Sequence, residues 1–112
     1  MKIRQREILL VPFPFSDFSS KKVRPVLVLS KDNYNDSSED IIVSAITSNI
    51  SKDNYSILII SEYLEEGHLI GASSIKVENI LRIDKKLLIK KIGKLNQKVF
   101  DKALRQLESI FR

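Results

Sequence analysis

The sequence predicts a small, mainly β protein: a β-barrel that carries a C-terminal helix. Short runs rich in Val, Ile and Leu alternate with polar turns through most of the chain, which is typical of barrels built from short strands. The last segment instead spaces its apolar residues by one and three, as an amphipathic helix does. With 112 residues, 43% of them hydrophobic, the chain can bury one core, so we expect a single domain over residues 1–112.

The elements of this fold follow one another along the chain. Strands are predicted at residues 8–15, 25–30, 41–47, 56–60, 74–83 and 87–92. In the first run, Pro12 and Pro14 lack N–H groups on the same side of the strand, which places that side at a sheet edge or beside a bulge. Residues 16–23 are a polar, basic loop, and residues 31–40 are a turn-rich connector. Asn96 is a suitable N-cap for the final helix.

The composition excludes several kinds of chemistry. The chain has no Cys and one His, which excludes disulfides, thiolate zinc sites, cysteine nucleophiles and two-histidine metal sites. We therefore expect no metal and no cofactor, and a site made from Arg, Lys, Ser, Thr, Asp, Glu or Tyr. No apolar run reaches the roughly 18 to 20 residues that cross a bilayer, and nothing indicates export. We expect a cytoplasmic protein without a membrane partner.

The net charge of +5 is unevenly distributed. Residues 1–24 carry +4, residues 25–70 carry −6 and residues 71–112 carry +7. Basic ends that converge on one face of the fold would suit a polyanion such as nucleic acid, or an acidic protein tail. A lysine-rich surface that only contacts solvent is the alternative, and the charge pattern alone leaves both open.

Two strand ends carry side chains that suit phosphate chemistry. Arg24 precedes Pro25 and a Val-rich strand, where a basic loop enters rigid structure, and rigid placement is what a guanidinium needs to bind a phosphate. Thr47 and Ser48 place hydroxyl groups at the end of the strand predicted over residues 41–47. Taken alone, these features are weak signals, because an Arg before Pro is usually a surface base and Thr-Ser-Asn after a strand is usually a turn.

Four separated blocks carry a resemblance to a known family. The blocks are VPFPFSD at residues 11–17, RPVLVLS at 24–30, AITS at 45–48, and ID at 83–84 through KKIG at 90–93. Together they resemble the MazF/PemK toxins of type II toxin–antitoxin modules, in order and over nearly the whole chain. The resemblance implies an SH3-like β-barrel of the MazF/CcdB type with a C-terminal helix, a homodimer, metal-independent cleavage of single-stranded RNA, and inhibition by an acidic antitoxin protein.

The resemblance also implies roles for individual residues. Arg24 takes the position of the catalytic arginine and Thr47 that of the catalytic threonine or serine. Glu78 and Lys76 resemble the acid–base pair proposed for the PemK branch of the family. Glu78 is the proton acceptor of this pair and the third catalytic candidate, and Lys76 is a substrate-binding candidate. The remaining substrate-binding candidates are the loop residues Ser19, Ser20, Lys21 and Lys22, together with Ser48.

The chain departs from the family at Arg6, where many relatives have glycine. Phe13, Phe15 and the helix end at Ile110 and Phe111 are expected to contribute to a dimer, because a barrel of this size cannot cover all of its apolar surface. Two other functions stay open: a CcdB-like toxin of the same fold that binds DNA gyrase, and an RNA-binding module without catalysis. Neither needs both Arg24 and Thr47.

Overall fold

The computed structural model describes residues 2–12, 22–50 and 53–112. Its helices and strands, in chain order, are β1 (Glu7–Pro12), β2 (Val23–Val28), α1 (Asp32–Ser37), β3 (Asp40–Thr47), β4 (Ile57–Ile59), β5 (Leu64–Gly67), β6 (Ser73–Asp84), β7 (Lys90–Leu95) and α2 (Gln97–Phe111). Short 3₁₀ turns lie at Ser61–Tyr63 and Lys85–Leu87. The prediction of a mainly β protein with a C-terminal helix is confirmed.

The strands form one antiparallel sheet in the order β4-β6-β3-β2-β1-β7-β5. Its two terminal strands, β4 and β5, are consecutive in the chain and are joined through the 3₁₀ turn at Ser61–Tyr63. Because a short segment joins these two edge strands, the sheet must curl so that its edges approach each other, as in a small barrel.

Alternation of side chains along the strands builds a core on each face of the sheet. On β1, Ile8 belongs to one cluster and Leu9 to the other, and both are fully buried. The cluster of Ile8 also receives Phe100 and Ala103 from α2, so the apolar stripe of the helix packs against this face of the sheet. Asn96 caps this helix as predicted, because its side-chain oxygen accepts a hydrogen bond from the Val99 N–H at 2.8 Å.

Some boundaries differ from the sequence predictions. The connector at residues 31–40 contains α1, whose Asn35 is 1% exposed and donates its side-chain N–H to the carbonyls of Ser30 and Ile3. This tertiary contact stabilises a helix that the turn-forming residues alone do not favour. Strand β5 was not predicted, and β7 begins at Lys90 because a 3₁₀ turn occupies the start of the predicted run.

The predicted first strand, at residues 8–15, begins one residue earlier, at Glu7, and is described as far as Pro12. The rest of that run lies outside the described residues. Strand β6 agrees closely with the run predicted at residues 74–83.

Arg6 lies in the turn before β1 and has a φ of 79°, in the left-handed region that favours glycine. Its carbonyl accepts a hydrogen bond from the Leu95 N–H at 2.8 Å, and its Nη1 donates to the Leu95 carbonyl at 2.8 Å and to Glu65 at 2.9 Å. The guanidinium therefore ties this strained turn to the junction of β7 and α2. The backbone conformation gives a physical reason why glycine suits this position.

We expect Arg6→Gly to change the free energy of unfolding by less than about 1 kcal/mol, because relief of the left-handed backbone offsets the two lost guanidinium hydrogen bonds. Arg6→Val loses the same two bonds and places a β-branched residue at positive φ, so its expected destabilisation is roughly 2 kcal/mol or more. Urea unfolding of both variants measures the difference. Equal stability of the two would contradict a strained turn.

Candidate active site

Arg24 and Thr47 lie at adjoining strand ends on one face of the sheet. In the β2–β3 pair, Val26 is opposite Ala45 and Val28 is opposite Val43. Arg24 lies two residues before Val26, and Thr47 lies two residues after Ala45, so both stand beyond the same end of this pairing. Opposite residues of an antiparallel pair point to the same face, and so do residues two apart on a strand. The two side chains that sequence and resemblance single out are therefore on the same face at the same end of β2 and β3.

The same row continues across two further strands. Thr47 is opposite Ser74 of β6, and Ser74 is opposite Leu58 of β4. Arg24, Thr47, Ser74 and Leu58 thus form one row across β2, β3, β6 and β4, which we call the strand-end row. Ser74 is 1% exposed and was missed by sequence analysis, because only the register shows that it adjoins Thr47.

The Thr47 hydroxyl is held by a local hydrogen bond. The Asn49 N–H donates to Thr47 Oγ1 at 3.1 Å, a side-chain-to-backbone contact between residues two apart. A hydroxyl oxygen that accepts this bond keeps its own O–H available as a donor. Thr47 is partly exposed and can therefore donate to a group bound at the strand ends.

Lys76 lies beside the strand-end row, because it is opposite Ala45, two residues before Thr47. Its Nζ is 2.7 Å from Asp53 Oδ2. The other Asp53 oxygen accepts hydrogen bonds from the N–H groups of Tyr55 and Ser56, at 2.9 and 2.7 Å. The carboxylate therefore fixes its own turn and the position of the Lys76 ammonium. Asp53 is not among the predicted site residues, although an Asp followed three residues later by Ser is a recognisable turn pattern.

Hydrogen bonding to Asp53 raises the pKa of Lys76 above its ordinary value. Desolvation opposes this effect, and the charges of Asp53 and Glu78 add to it. Lys76 is therefore a cation at neutral pH. It can stabilise negative charge, but it cannot accept a proton.

Glu78 lies in a bulge of β6. Ala45 pairs with Lys76 whereas Ser44 pairs with Ile80, so residues 77–79 have no partner in β3. Glu78 is exposed and lies four residues beyond Ser74, roughly 13 Å along an extended strand. The direct ion-pair partner of Lys76 is Asp53, and Glu78 acts on it only through its charge. The register thus brings Lys76 beside Thr47 but does not place Glu78 there.

The other substrate-binding candidates lie around the same strand ends. Ser48 is exposed and, with Pro25, lines a cavity of about 770 Å³ that extends to the segment joining β5 to β6. Lys22 is exposed just before β2. The remaining loop candidates, Ser19, Ser20 and Lys21, lie outside the described residues.

Two further properties bear on cofactors and membranes. Residues 2–12, 22–50 and 53–112 contain no group of three or more His, Cys, Asp or Glu side chains arranged to hold a metal ion. In those same ranges, no helix combines the length and the apolar character needed to cross a membrane.

Replacing Asp53 by Asn should lower the pKa of Lys76 toward its ordinary value of 10.5, because the main stabilising partner of the ammonium is lost. Glu78→Gln, the control, should lower it less. A raised pKa in the folded state means that the pair stabilises the fold below about pH 10.5 and that this contribution is lost as the pH rises through the folded value. NMR titration of the Lys76 side chain measures both shifts. A larger shift in the Glu78 variant would contradict the assignment.

The fold is similar to that of several solved toxins. The Mycobacterium tuberculosis toxin MazF-mt6 gives a TM-score of 0.77 at 20% identity, covering 95% of this chain and 96% of that one. A mycobacterial endoribonuclease in complex with its cognate antitoxin gives 0.75 at 12% identity, covering 97% and 94%. A MazE–MazF structure from Deinococcus radiodurans gives 0.76 at 14% identity, covering 99% and 96%. These likenesses confirm the MazF-type fold.

The sequence itself gives the family. No curated protein matches the chain. The family model for the PemK-like, MazF-like toxin of type II toxin–antitoxin systems matches residues 4–111, nearly the whole chain. The match includes the blocks that carry Arg24 and Thr47. The protein therefore belongs to the PemK-like, MazF-like family of type II toxin–antitoxin toxins.

Proposed function

We propose that this protein is a sequence-specific, metal-independent endoribonuclease toxin that cleaves single-stranded RNA and so inhibits translation in the cytoplasm. We further propose that an acidic antitoxin protein neutralises it. The observation that carries this proposal is the β2–β3 pairing, because it leaves Arg24 and Thr47 on one face at the same end of the two strands. Family membership and the structures of related toxins support it, since one is described as an endoribonuclease bound to its antitoxin.

The strand-end row offers hydrogen-bond donors to a phosphodiester. In RNA cleavage without a metal, the 2′-oxygen attacks the adjacent phosphorus and loses its proton, a new P–O2′ bond forms, and the P–O5′ bond breaks. The 5′-oxygen then takes up a proton, which leaves a 2′,3′-cyclic phosphate and a 5′-hydroxyl. The enzyme must align this attack and stabilise the extra negative charge on the phosphorane.

Each side chain has a distinct role in this proposal. Arg24 donates two N–H bonds to the non-bridging oxygens, because a guanidinium stays protonated in proteins and binds phosphate in a bidentate manner. The O–H of Thr47 donates to the same phosphate. Lys76 adds positive charge, and Glu78, the proton acceptor that the resemblance implies, is not assigned this step because the β6 bulge places it away from Thr47. Ser48, Lys22 and the loop residues Ser19, Ser20 and Lys21 would bind the flanking RNA.

Arg24→Ala should lower the rate of RNA cleavage by roughly 10² to 10³, the usual effect of removing one preorganised donor to a developing oxyanion. The assay uses purified protein, single-stranded RNA and EDTA, and it identifies the 2′,3′-cyclic phosphate product. Arg82→Ala is the matched control, because Arg82 is an exposed arginine of β6 that pairs with Asp40. Full activity of the Arg24 variant, or a strict requirement for Mg²⁺, would reject the mechanism.

We also propose that the active toxin is a two-fold dimer. Phe111 is 76% exposed at the end of α2, beside the partly exposed Ile110, and such apolar surface is normally covered by a partner. The other predicted dimer contacts, Phe13 and Phe15, lie outside the described residues. In a dimer, each strand-end row would border a groove that both subunits share.

Phe111→Asp should weaken this dimer by about tenfold or more, because a carboxylate would replace a large apolar contact. Tyr34→Asp is the control, since Tyr34 is an exposed aromatic residue of α1. Sedimentation velocity at micromolar concentrations measures both. A monomeric wild-type protein with full nuclease activity would show that the dimer is not needed.

A further inference from the structure

A second surface, at the opposite end of the strand-end row from Arg24, combines basic and aromatic side chains. A groove of about 610 Å³ lies between α2 and β4, and its lining includes Leu58 and Tyr63. The side-chain N–H of Gln106, in α2, donates to the Asn54 carbonyl at 2.9 Å, so the helix is tied to the turn before β4. We call this surface the α2–β4 groove.

The charge of the groove is positive. Three cations of α2 line it, namely Lys98, Lys102 and Arg105, and no described Asp or Glu belongs to its lining. Their spacing of four and three residues places them on one face of the helix. None of the three forms an ion pair with a described residue, so their charges are available to an anionic ligand.

The position of Lys98 indicates that this charge does not serve the helix itself. Lys98 lies in the first turn of α2, which contains no acidic residue. Positive charge there opposes the helix dipole, whereas an anion is stabilised at the same end. A phosphate bound beside Lys98 would therefore relieve an unfavourable interaction and also pair with the ammonium group.

An exposed aromatic ring adjoins the cations. Tyr63 is 36% exposed, and Leu58 is 51% exposed, a large fraction for a leucine within a strand. Sites for single-stranded nucleic acid combine a positively charged groove, which follows the phosphates, with aromatic side chains on which bases stack. Both components are present here. An acidic peptide would use the cations but would leave the ring without a stacked base.

The groove is close to the candidate active site. Thr47 is opposite Ser74, and Ser74 is opposite Leu58, which also lines the groove. Two interstrand spacings of about 4.8 Å separate Thr47 from Leu58 by roughly 10 Å. At a rise of about 3.4 Å per nucleotide, a stacked strand covers this distance in about three nucleotides.

From these features we infer that the α2–β4 groove is a second binding site for single-stranded RNA, which holds the part of the substrate a few nucleotides from the cleaved bond. The phosphates of this part pair with Lys98, Lys102 and Arg105, and one base stacks on Tyr63. The groove does not contact the reacting phosphate, so it contributes to substrate binding and not to the chemical step. The identity of the ligand rests on the proposed function.

The first test measures the binding of a fluorescein-labelled 2′-O-methyl RNA of about 16 nucleotides, near the upper site size of a single-strand binding groove. This RNA cannot be cleaved, because its attacking hydroxyl is blocked. Affinity for a single strand falls with salt at a slope of about −0.7 per phosphate contacted, so Lys102→Ala with Arg105→Ala should flatten the slope by up to about 1.4. Fluorescence anisotropy over a salt series measures this change.

Lys31→Ala with Lys86→Ala is the matched control, because it removes the same charge from two exposed lysines outside the groove. It should leave the slope within about 0.3 of the wild type. Thermal melting checks that both double variants are folded. Equal slopes for the two would overturn the inference. If the Lys102 and Arg105 variant keeps its RNA binding but loses the binding of an oligoglutamate peptide, the groove is a protein-binding surface and the inference is likewise wrong.

A second test concerns the aromatic ring. Tyr63→Ala should weaken binding of the same RNA by about fivefold or more, the lower end of the usual effect of removing a stacking ring. Tyr63→Phe keeps the ring and should bind like the wild type. Tyr34→Ala, which removes an exposed tyrosine of α1, is the control and should have no effect. Equal weakening by the Ala and Phe variants of Tyr63 would contradict stacking.

Cleavage assays separate this inference from the proposed function. On a long RNA, the Lys102 and Arg105 variant should lower kcat/KM by about fivefold or more through KM. An RNA of about six nucleotides, centred on the same cleaved bond, ends near Leu58, so the variant should cleave it within about twofold of the wild-type rate. Equal losses on both RNAs would contradict a separate site. A wild-type protein that binds RNA through the groove but cleaves none would support the groove and refute only the cleavage proposal.

Discussion

The backbone register of β2, β3 and β6 is the constraint on which the rest of the site depends. Side chains alternate between faces along each strand, so a shift of one residue in any of these pairs would turn the opposed side chains to the other face. The buried residues on both faces oppose such a shift. Val26 packs in one core cluster and Ile46 in the other, so a slip of either strand would remove its side chain from the cluster that it fills. The packing of the core thus fixes which polar groups adjoin at the strand ends.

The bulge in β6 shows how this constraint is relaxed in one place. Residues 77–79 leave the ladder between two well-paired stretches, yet Val77 is 1% exposed and remains in the core. The strand therefore keeps the side chain of Val77 in the core, while the exposed Glu78 has no partner residue in β3. This arrangement separates the two charged groups that the sequence suggested would act together. Lys76 stays beside Thr47. Its ammonium group forms an ion pair with Asp53, which belongs to a turn outside the β-sheet.

Much of the fold could be predicted because strands and the final helix have distinct periods. The stripe that ends in Phe111 identified α2, and the apolar runs identified most strands. The acidic strand β5 could not be recognised, because its LEEG sequence has no apolar alternation and its pairing with β7 is a tertiary interaction. Arg24 and Thr47 remain predictions from the residues and the family resemblance. Ser74 and Asp53 were not predicted, because their relation to Thr47 and Lys76 exists only in the folded register.

The uneven charge of the sequence has a physical consequence that its net value hides. The basic N-terminal segment supplies Lys22 and Arg24 at one end of the strand-end row, and the basic C-terminal segment supplies Lys98, Lys102 and Arg105 beyond the other end. Within the acidic middle segment, Asp53 pairs with Lys76 and Glu65 pairs with Arg6. Acidic residues of the middle segment therefore neutralise basic residues that come from both ends of the chain, and the net charge of +5 describes neither end.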